Sequence, residues 1–367
     1  MIYLDNGATS FQKPRCVMDA VLKAMETCAN PGRGGYREAM AATKTVYMCR
    51  EQLASFFNCS AENVVFTSNC THALNIAIRT LIQPGSRVAV SGFEHNAVMR
   101  PLYALQANIC VCGQKLFDEE DTLRAFEDAI KQGVDAAVFT HVSNVFGYVL
   151  PVERIAALCR KYHIPFIIDA AQSAGTIPIN FKDLGADYIA MPGHKGLLGP
   201  QGIGVLLCKN SDVTPLLYGG TGMASKERNM PDELPERLEA GTLNVPGIAG
   251  LNAGVGYIMH LGLNTIAAAE QEQLAKCIRG VKNMGLKTFS GSPQVGTFSF
   301  LVAGDCEETA YELGKLGIAV RAGLHCSPLA HESAGTMNSG TVRVSYGYNA
   351  SLMQTKCFLK ALSKIAN

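Results

Sequence analysis

The stretch FIIDAAQSAGTIPINFKDLGADYIAMPGHKGLLGPQGIG, Phe166 to Gly204, decides the fold. Phe166-Ile167-Ile168 is short, apolar and rich in β-branched residues, so it reads as a strand buried on both faces, as in a parallel sheet. Asp169 ends it. Tyr188-Ile189-Ala190-Met191 is a second such run, and the turn Pro192-Gly193-His194-Lys195-Gly196 follows it. Open α/β sheets hold their ligands just beyond the carboxyl ends of the strands. Asp169 and Lys195 are therefore placed to reach one ligand.

Outward from this stretch the same alternation continues. Upstream, Asn63 to Ile78 reads as strand, polar turn and helix, and Arg87 to Ser91 and Ala136 to Thr140 are further strands. Val152 to His163 reads as the crossover helix leading into the Asp169 strand. Pro14 to Cys28 and Ala39 to Phe57 carry helical periodicity, and Asn30 to Gly35 is a loop by composition. Beyond Lys195, Gly204 to Cys208 closes the sheet, Thr214 to Pro235 reads as a mobile surface segment, and Ile248 to His260 starts a long helix. The pattern predicts an α/β fold with a mostly parallel sheet sandwiched by helices. From about Leu261 it changes to helix, strand, helix, strand, which predicts a smaller α+β C-terminal domain.

The chain has 367 residues, 48% of them hydrophobic and 17% charged, enough for one large and one small domain around a sizeable core. A net charge of +1 gives no electrostatic reason to expect nucleic acid or an anionic membrane as partner. No apolar run is long enough to span a bilayer, and the start, MIYLDNGATS, has no signal-peptide pattern. The 13 cysteines are scattered and odd in number, which fits reduced thiols in a cytoplasm better than a disulfide framework. Cys110 and Cys112 have no second pair at metal-ligand spacing, so no metal site is expected.

A lysine amine and a carboxylate at adjacent strand ends suit pyridoxal 5'-phosphate (PLP). The amine condenses with the aldehyde, and the carboxylate keeps the pyridine nitrogen protonated so that the ring accepts electrons. The turn before the Cys70 helix offers unpaired N–H groups and a positive dipole end, which suit the phosphate, with Cys70 and Thr71 at that place. Simple capping by Ser68, Asn69 or Thr71 explains the same residues.

D-A-A-Q from Asp169, G-H-K from Gly193 and G-P-Q-G-I-G from Gly199 resemble the class V aminotransferase group of fold-type I PLP enzymes, and within it the cysteine desulfurases and selenocysteine lyases. The resemblance runs from Tyr3-Leu4-Asp5-Asn6 to Arg343. It implies the fold-type I architecture, with a large PLP-binding domain over 15–257 and a small domain formed by 1–14 and 258–367. It implies that His95 stacks on the cofactor ring and moves protons, that Asn144 and Gln172 meet the ring 3-oxygen, and that Thr242 reaches the phosphate of a neighbouring subunit in a homodimer with shared sites. It places Arg343 on the α-carboxylate of the substrate, with Arg321 and Arg33 as further substrate contacts. Three departures from the family pattern stand out. Pro192 stands where a phosphate-binding Ser is usual, Cys70 and His72 replace a Thr and an acidic residue, and the loop before Arg33 lacks a His. The phosphate then falls more to the Cys70-Thr71 turn, His194 and Thr242.

Val320 to Pro328, VRAGLHCSP, is the second informative stretch. Glycine and proline bracket Cys326, so it sits on a loop, and Arg321 and His325 are cations expected to favour its thiolate. The R-x-G-x-H-C pattern resembles group II cysteine desulfurases, whose loop Cys takes sulfur from PLP-bound cysteine. The expected activity is a cytoplasmic cysteine desulfurase. L-Cysteine becomes L-alanine, Lys195 moves the α-proton, and Cys326 is left as a persulfide for a sulfur-acceptor protein. The alternatives on the same scaffold are a selenocysteine lyase, acting on L-selenocysteine, or another PLP-dependent lyase or aminotransferase. The non-enzyme alternative is a PLP-free sulfur-relay scaffold.

Overall fold

The central sheet is built from strands too apolar to face water, with helices on both sides. It is seen in a computed structural model that describes residues 1–32, 34–223 and 225–365. Its order is Val64–Thr67, Gly204–Cys208, Tyr188–Pro192, Phe166–Asp169, Ala136–Thr140, Arg87–Ser91 and Asn108–Cys112. Neighbouring strands run parallel except at Gly204–Cys208, which is antiparallel to both of its neighbours. The sheet is thus mostly parallel, as the apolar runs predict. The one reversal follows from the short connection over residues 193–203, which has no room for a crossover helix.

Successive residues of the Phe166 strand face opposite ways, as the pleat requires. Phe166 and Ile168 join a core with Leu53, Phe126, Ile155 and Ile248, while Ile167 joins a second core with Leu74, Val88 and Val98 on the other face. The expected helices form with shifted ends. One runs Arg37–Phe57, two residues earlier than its apolar periodicity suggests, because extended Tyr36 precedes it. Another runs Val245–Leu261, entered through Asn244, whose side chain accepts the Gly247 N–H.

A third core surrounds an antiparallel sheet ordered Arg321–Gly323, Thr341–Ser345, Thr297–Phe300 and Thr288–Phe289. Phe298, Phe300, Val342, Val344, Leu274 and Phe358 fill it, together with Leu4 from the start of the chain. Ile2–Tyr3 pairs parallel with Ile318–Ala319 in a separate two-stranded sheet, and Asp5 bridges to Ser345, so the N-terminal segment is tied to the C-terminal sheet.

One buried ion pair fixes the loop that carries Thr242. Arg50 and Glu239 meet at 2.8 Å with side chains only 10% and 7% exposed, and Glu239 also accepts the Phe66 N–H at 2.7 Å. Glu239→Ala leaves a guanidinium buried without its carboxylate, and the expected loss is about 3–5 kcal/mol in chemical denaturation. A loss under about 1 kcal/mol would show that water reaches Arg50 and that the pair does not hold the loop.

Candidate functional site

At the carboxyl edge of the sheet, Asp169 pairs with Ala190 across two parallel strands, and the chain then turns to present Lys195. Two close approaches lock these turns together. Gly175 has φ +81°, and a Cβ there would lie 2.3 Å from the Gly196 carbonyl oxygen. A Cβ on Gly196 would in turn lie 2.3 Å from the Ala174 oxygen. Only glycine fits either position, so the Asp169 turn and the Lys195 turn form one packed unit.

Asn69, Cys70, Thr71, His95, Asn144, Asp169, Gln172, Pro192, His194 and Lys195 surround a cleft of about 540 Å³. Lys195 and Gln172 also border a second cavity, toward Asn6, Glu270 and Tyr346. Nine residues predicted from the sequence thus converge on one space: Cys70, Thr71, His95, Asn144, Asp169, Gln172, His194 and Lys195 as contacts, and Pro192 as the departure. Thr242 is not among them; it is exposed on the single chain. Arg33 lies outside the described residues.

Asp169 is 2% exposed and has no cationic partner within ion-pair distance among the described residues. Its Oδ1 accepts the Ala171 N–H at 2.9 Å and the Cys70 thiol at 3.6 Å. Burial pushes its carboxyl upward, and the Ala171 N–H and the Lys195 charge oppose this. Burial lowers the Lys195 amine, against the pull of Asp169. The Cys70 side chain is therefore turned to the carboxylate rather than to solvent at the helix start. Asn69, one of three capping residues weighed from the sequence, is the cap: its Oδ1 accepts the His72 N–H at 2.8 Å.

His95 caps the next helix with its ring, Nδ1 accepting the Ala97 N–H at 3.0 Å. That bond fixes the proton of the neutral ring on Nε2. Burial, and then the charge of Lys195, pushes its pKa down to about 4, so the ring stays neutral and presents a donor rather than a base. His194 is likewise held neutral by burial, its pKa down to about 4, with Nδ1 3.0 Å from Thr9 Oγ1. The His194 carbonyl accepts from Ser10 Oγ at 2.9 Å and from Lys13 Nζ at 2.8 Å. Thr9, Ser10 and Lys13 thus brace the Lys195 turn. The sequence offers no local signal for this, since the two segments are far apart in the chain.

Arg343 is 1% exposed; it donates to Asp5 Oδ1 at 2.5 Å and to the Asn144 carbonyl at 2.9 Å. It lies directly across the antiparallel pair from Arg321. Two cations opposite one another are unfavourable unless anions meet them. Asp5 meets Arg343, whereas Arg321 has no carboxylate partner among the described residues. The Arg321 guanidinium instead lies 3.9 Å from the exposed Cys326 thiol. His325 corrects the expectation that it supplies a second cation there. Its ring is buried with Nε2 3.2 Å from Thr341 Oγ1, and burial, with the Arg343 charge, holds its pKa down near about 2, so it is neutral.

Glu94 lies behind the cleft, and nothing in the sequence singles it out. It is fully buried, and its Oε1 accepts from Ser91 Oγ at 2.5 Å and from the Thr140 N–H at 2.7 Å. Burial pushes its pKa from 4.5 up to about 8. The folded protein thus keeps a proton that the unfolded chain has lost, and stability falls as pH rises between those values. The slope reaches at most about 1.4 kcal/mol per pH unit. Glu94→Gln is expected to flatten the decline in Tm between pH 5.5 and 7.5; an unchanged decline would place the titrating group elsewhere.

The donor set can be tested against PLP on the structure itself. A buried carboxylate without a cation, a lysine amine across the cleft, a helix start at Cys70 and Thr71, and a neutral imidazole with its free N–H at Nε2 fit a planar cofactor with a protonated ring nitrogen, an aldehyde and a phosphate. The model of the family "Aminotransferase class-V" matches residues 2–356. A probable cysteine desulfurase of Methanothermobacter thermautotrophicus is 32% identical, over 100% of this chain and 94% of that protein. One of Pyrococcus abyssi is 30% identical, again over 100% and 94%. The apo structure of the cysteine desulfurase from Thermococcus onnurineus NA1 superposes with a TM-score of 0.90 at 31% identity, over 100% of this chain and 94% of that one.

Proposed function

The chain belongs to the class-V aminotransferase family, and from that membership we propose that it is a PLP-dependent cysteine desulfurase that converts L-cysteine to L-alanine and keeps the sulfur as a persulfide on Cys326. The observation that carries this reading is the placement of Cys326. The thiol is exposed, Arg321 lies beside it, and its turn is hydrogen-bonded to Asn144, which lines the cleft of Lys195 and Asp169.

Lys195 is the covalent anchor for PLP, Asp169 the partner of the ring nitrogen, and His95, Asn144 and Gln172 the contacts around the ring. The Cys70-Thr71 helix start and His194 remain for the phosphate, since Pro192 has neither hydroxyl nor N–H. When bound, PLP supplies an electron sink for the charge left on the substrate α-carbon. Lys195, its amine lowered by burial, takes the α-proton and returns it. Arg343, whose fork is already oriented by Asp5, and Arg321, which lacks a carboxylate, orient the substrate carboxylate. The Cys326 sulfur forms an S–S bond to the substrate sulfur as the Cβ–S bond breaks. The electron pair of the broken bond stays with the carbon, which takes up the proton that the two thiols give up. The carbon is reduced, the sulfurs are oxidised to the persulfide, and no outside oxidant is needed.

Thr242 reaches a cofactor only if a second copy supplies it, so the reading includes a homodimer. Exposed Met18, Leu22 and Met25 on one helix, Tyr36 just before the next and Met40 and Tyr47 along it give an apolar surface suited to burial against a partner. Thirteen free thiols and the absence, among the described residues, of a helix long and apolar enough to cross a membrane fit a cytoplasmic enzyme passing sulfur to an acceptor protein. The test is alanine release from L-cysteine and from L-selenocysteine by the PLP-loaded protein with a thiol reductant. Alanine from cysteine supports the proposal. Alanine from selenocysteine alone turns it into a selenocysteine lyase, and alanine from neither sinks both.

A further inference from the structure

The Cys326 turn holds two successive non-glycine residues in the left-handed region, His325 at φ +50° and Cys326 at φ +58°. Such a conformation persists only when its surroundings over-determine it. Here the surroundings include the cleft. Asn144 Nδ2 donates to the His325 carbonyl at 2.8 Å, and Ser327 Oγ donates to Asn144 Oδ1 at 2.6 Å. Asn144, His325 and Ser327 are 9%, 4% and 0% exposed, so water does not compete for these bonds. The Cys326 carbonyl accepts the Asn96 N–H at 2.8 Å, at the start of the helix that His95 caps. The strained turn therefore rests on cleft-lining Asn144 and on the residue next to His95.

A carboxamide has two N–H donors and two acceptor positions. The turn takes one of each on Asn144, which leaves one of each for a molecule in the cleft. We propose that Asn144 and Ser327 form a latch through which occupancy of the cofactor cleft sets how firmly the Cys326 turn is held. This rests on the reading that PLP binds in that cleft with Asn144 as a contact. A ligand that fixes the Asn144 carboxamide from the cleft side stiffens both bonds to the turn. By linkage, a firmly held turn strengthens binding by the same factor. Ser327 and Asn144 act here as positioning residues, holding the thiol-bearing turn more firmly when the cofactor is present.

The test is hydrogen exchange by mass spectrometry on the apo and PLP-loaded protein, wild type and Ser327→Ala, following peptides that cover 322–330 and 167–174. In the wild type, loading is expected to slow exchange across the turn by about fivefold or more, the lower end of ordinary coupling. In Ser327→Ala, loading is expected to slow it less than about twofold while the Asp169 peptide is protected as before. A static structural role for Ser327 would raise exchange equally in both states. Equal slowing in the two proteins, or none at the turn in wild type, overturns the latch. If the Asp169 peptide is protected in that second case, the cofactor reading stands and only the latch falls. If alanine is never formed but the turn is protected, the latch stands and the desulfurase reading falls.

Discussion

Lys195→Ala is expected to lower alanine formation from L-cysteine by roughly 10³-fold or more, and to leave borohydride unable to fix PLP to the protein. Two losses combine in the one substitution. On the proposed mechanism the covalent anchor goes, and so does the base for the α-proton. No neighbour takes over the second task. His95 gives its Nδ1 to the Ala97 N–H and presents a proton at Nε2, and His194 is occupied by Thr9. Burial keeps both rings neutral, so neither carries a charge that could substitute for the lysine. The measurement is single-turnover alanine release, together with borohydride reduction and peptide mapping at residue 195. Cofactor fixed at another lysine, or a loss below about tenfold, would show that the Lys195 turn is not the catalytic one.

Cys326→Ala is the second large effect. Desulfuration of cysteine is expected to fall by at least about 100-fold, because in the proposed mechanism the thiol is a bond-forming partner and not an auxiliary. Among the 13 cysteines, Cys326 and Cys16 are the exposed ones, and Cys16 hangs from a helix near Ala253. Cys70 is in the cleft, but burial and the Asp169 charge raise its thiol well above the ordinary range, which disfavours its thiolate. Neither of these is therefore set to replace Cys326. Mass spectrometry after incubation with L-cysteine should find one added sulfur on the Cys326 peptide of the wild type and none on the variant. Persulfide on a different cysteine, or alanine formed at the wild-type rate by the variant, would sink the role. Activity that disappears with cysteine but survives with selenocysteine would shift the enzyme to the lyase.

Much of the site is legible in sequence because its parts lie at strand ends. Asp169, Lys195, His95 and Asn144 each follow an apolar run by a few residues, and parallel sheet topology carries all such positions to one edge. What escaped reading lies elsewhere. Thr9, Ser10 and Lys13 brace the carbonyl of His194 from more than a hundred residues away. Ser327 reads as an ordinary residue before a proline, until its bond to Asn144 is seen. His325 reads as a cation because an isolated imidazole titrates near neutrality; burial beside Arg343 keeps it neutral.

By itself, the sequence determined the strand–helix alternation, the mostly parallel sheet and the two turns that bear Asp169 and Lys195. Those features follow from local periodicity and from the few residues that end each apolar run. Only the tertiary structure decided which groups carry charge and which way they face. The Arg321–Arg343 pairing, the Asp5 partner, the fixed tautomer of His95 and the strained Cys326 turn all depend on burial and on contacts between distant segments. Desolvation and hydrogen-bond geometry set these properties, and neither is encoded in the spacing of residues along the chain.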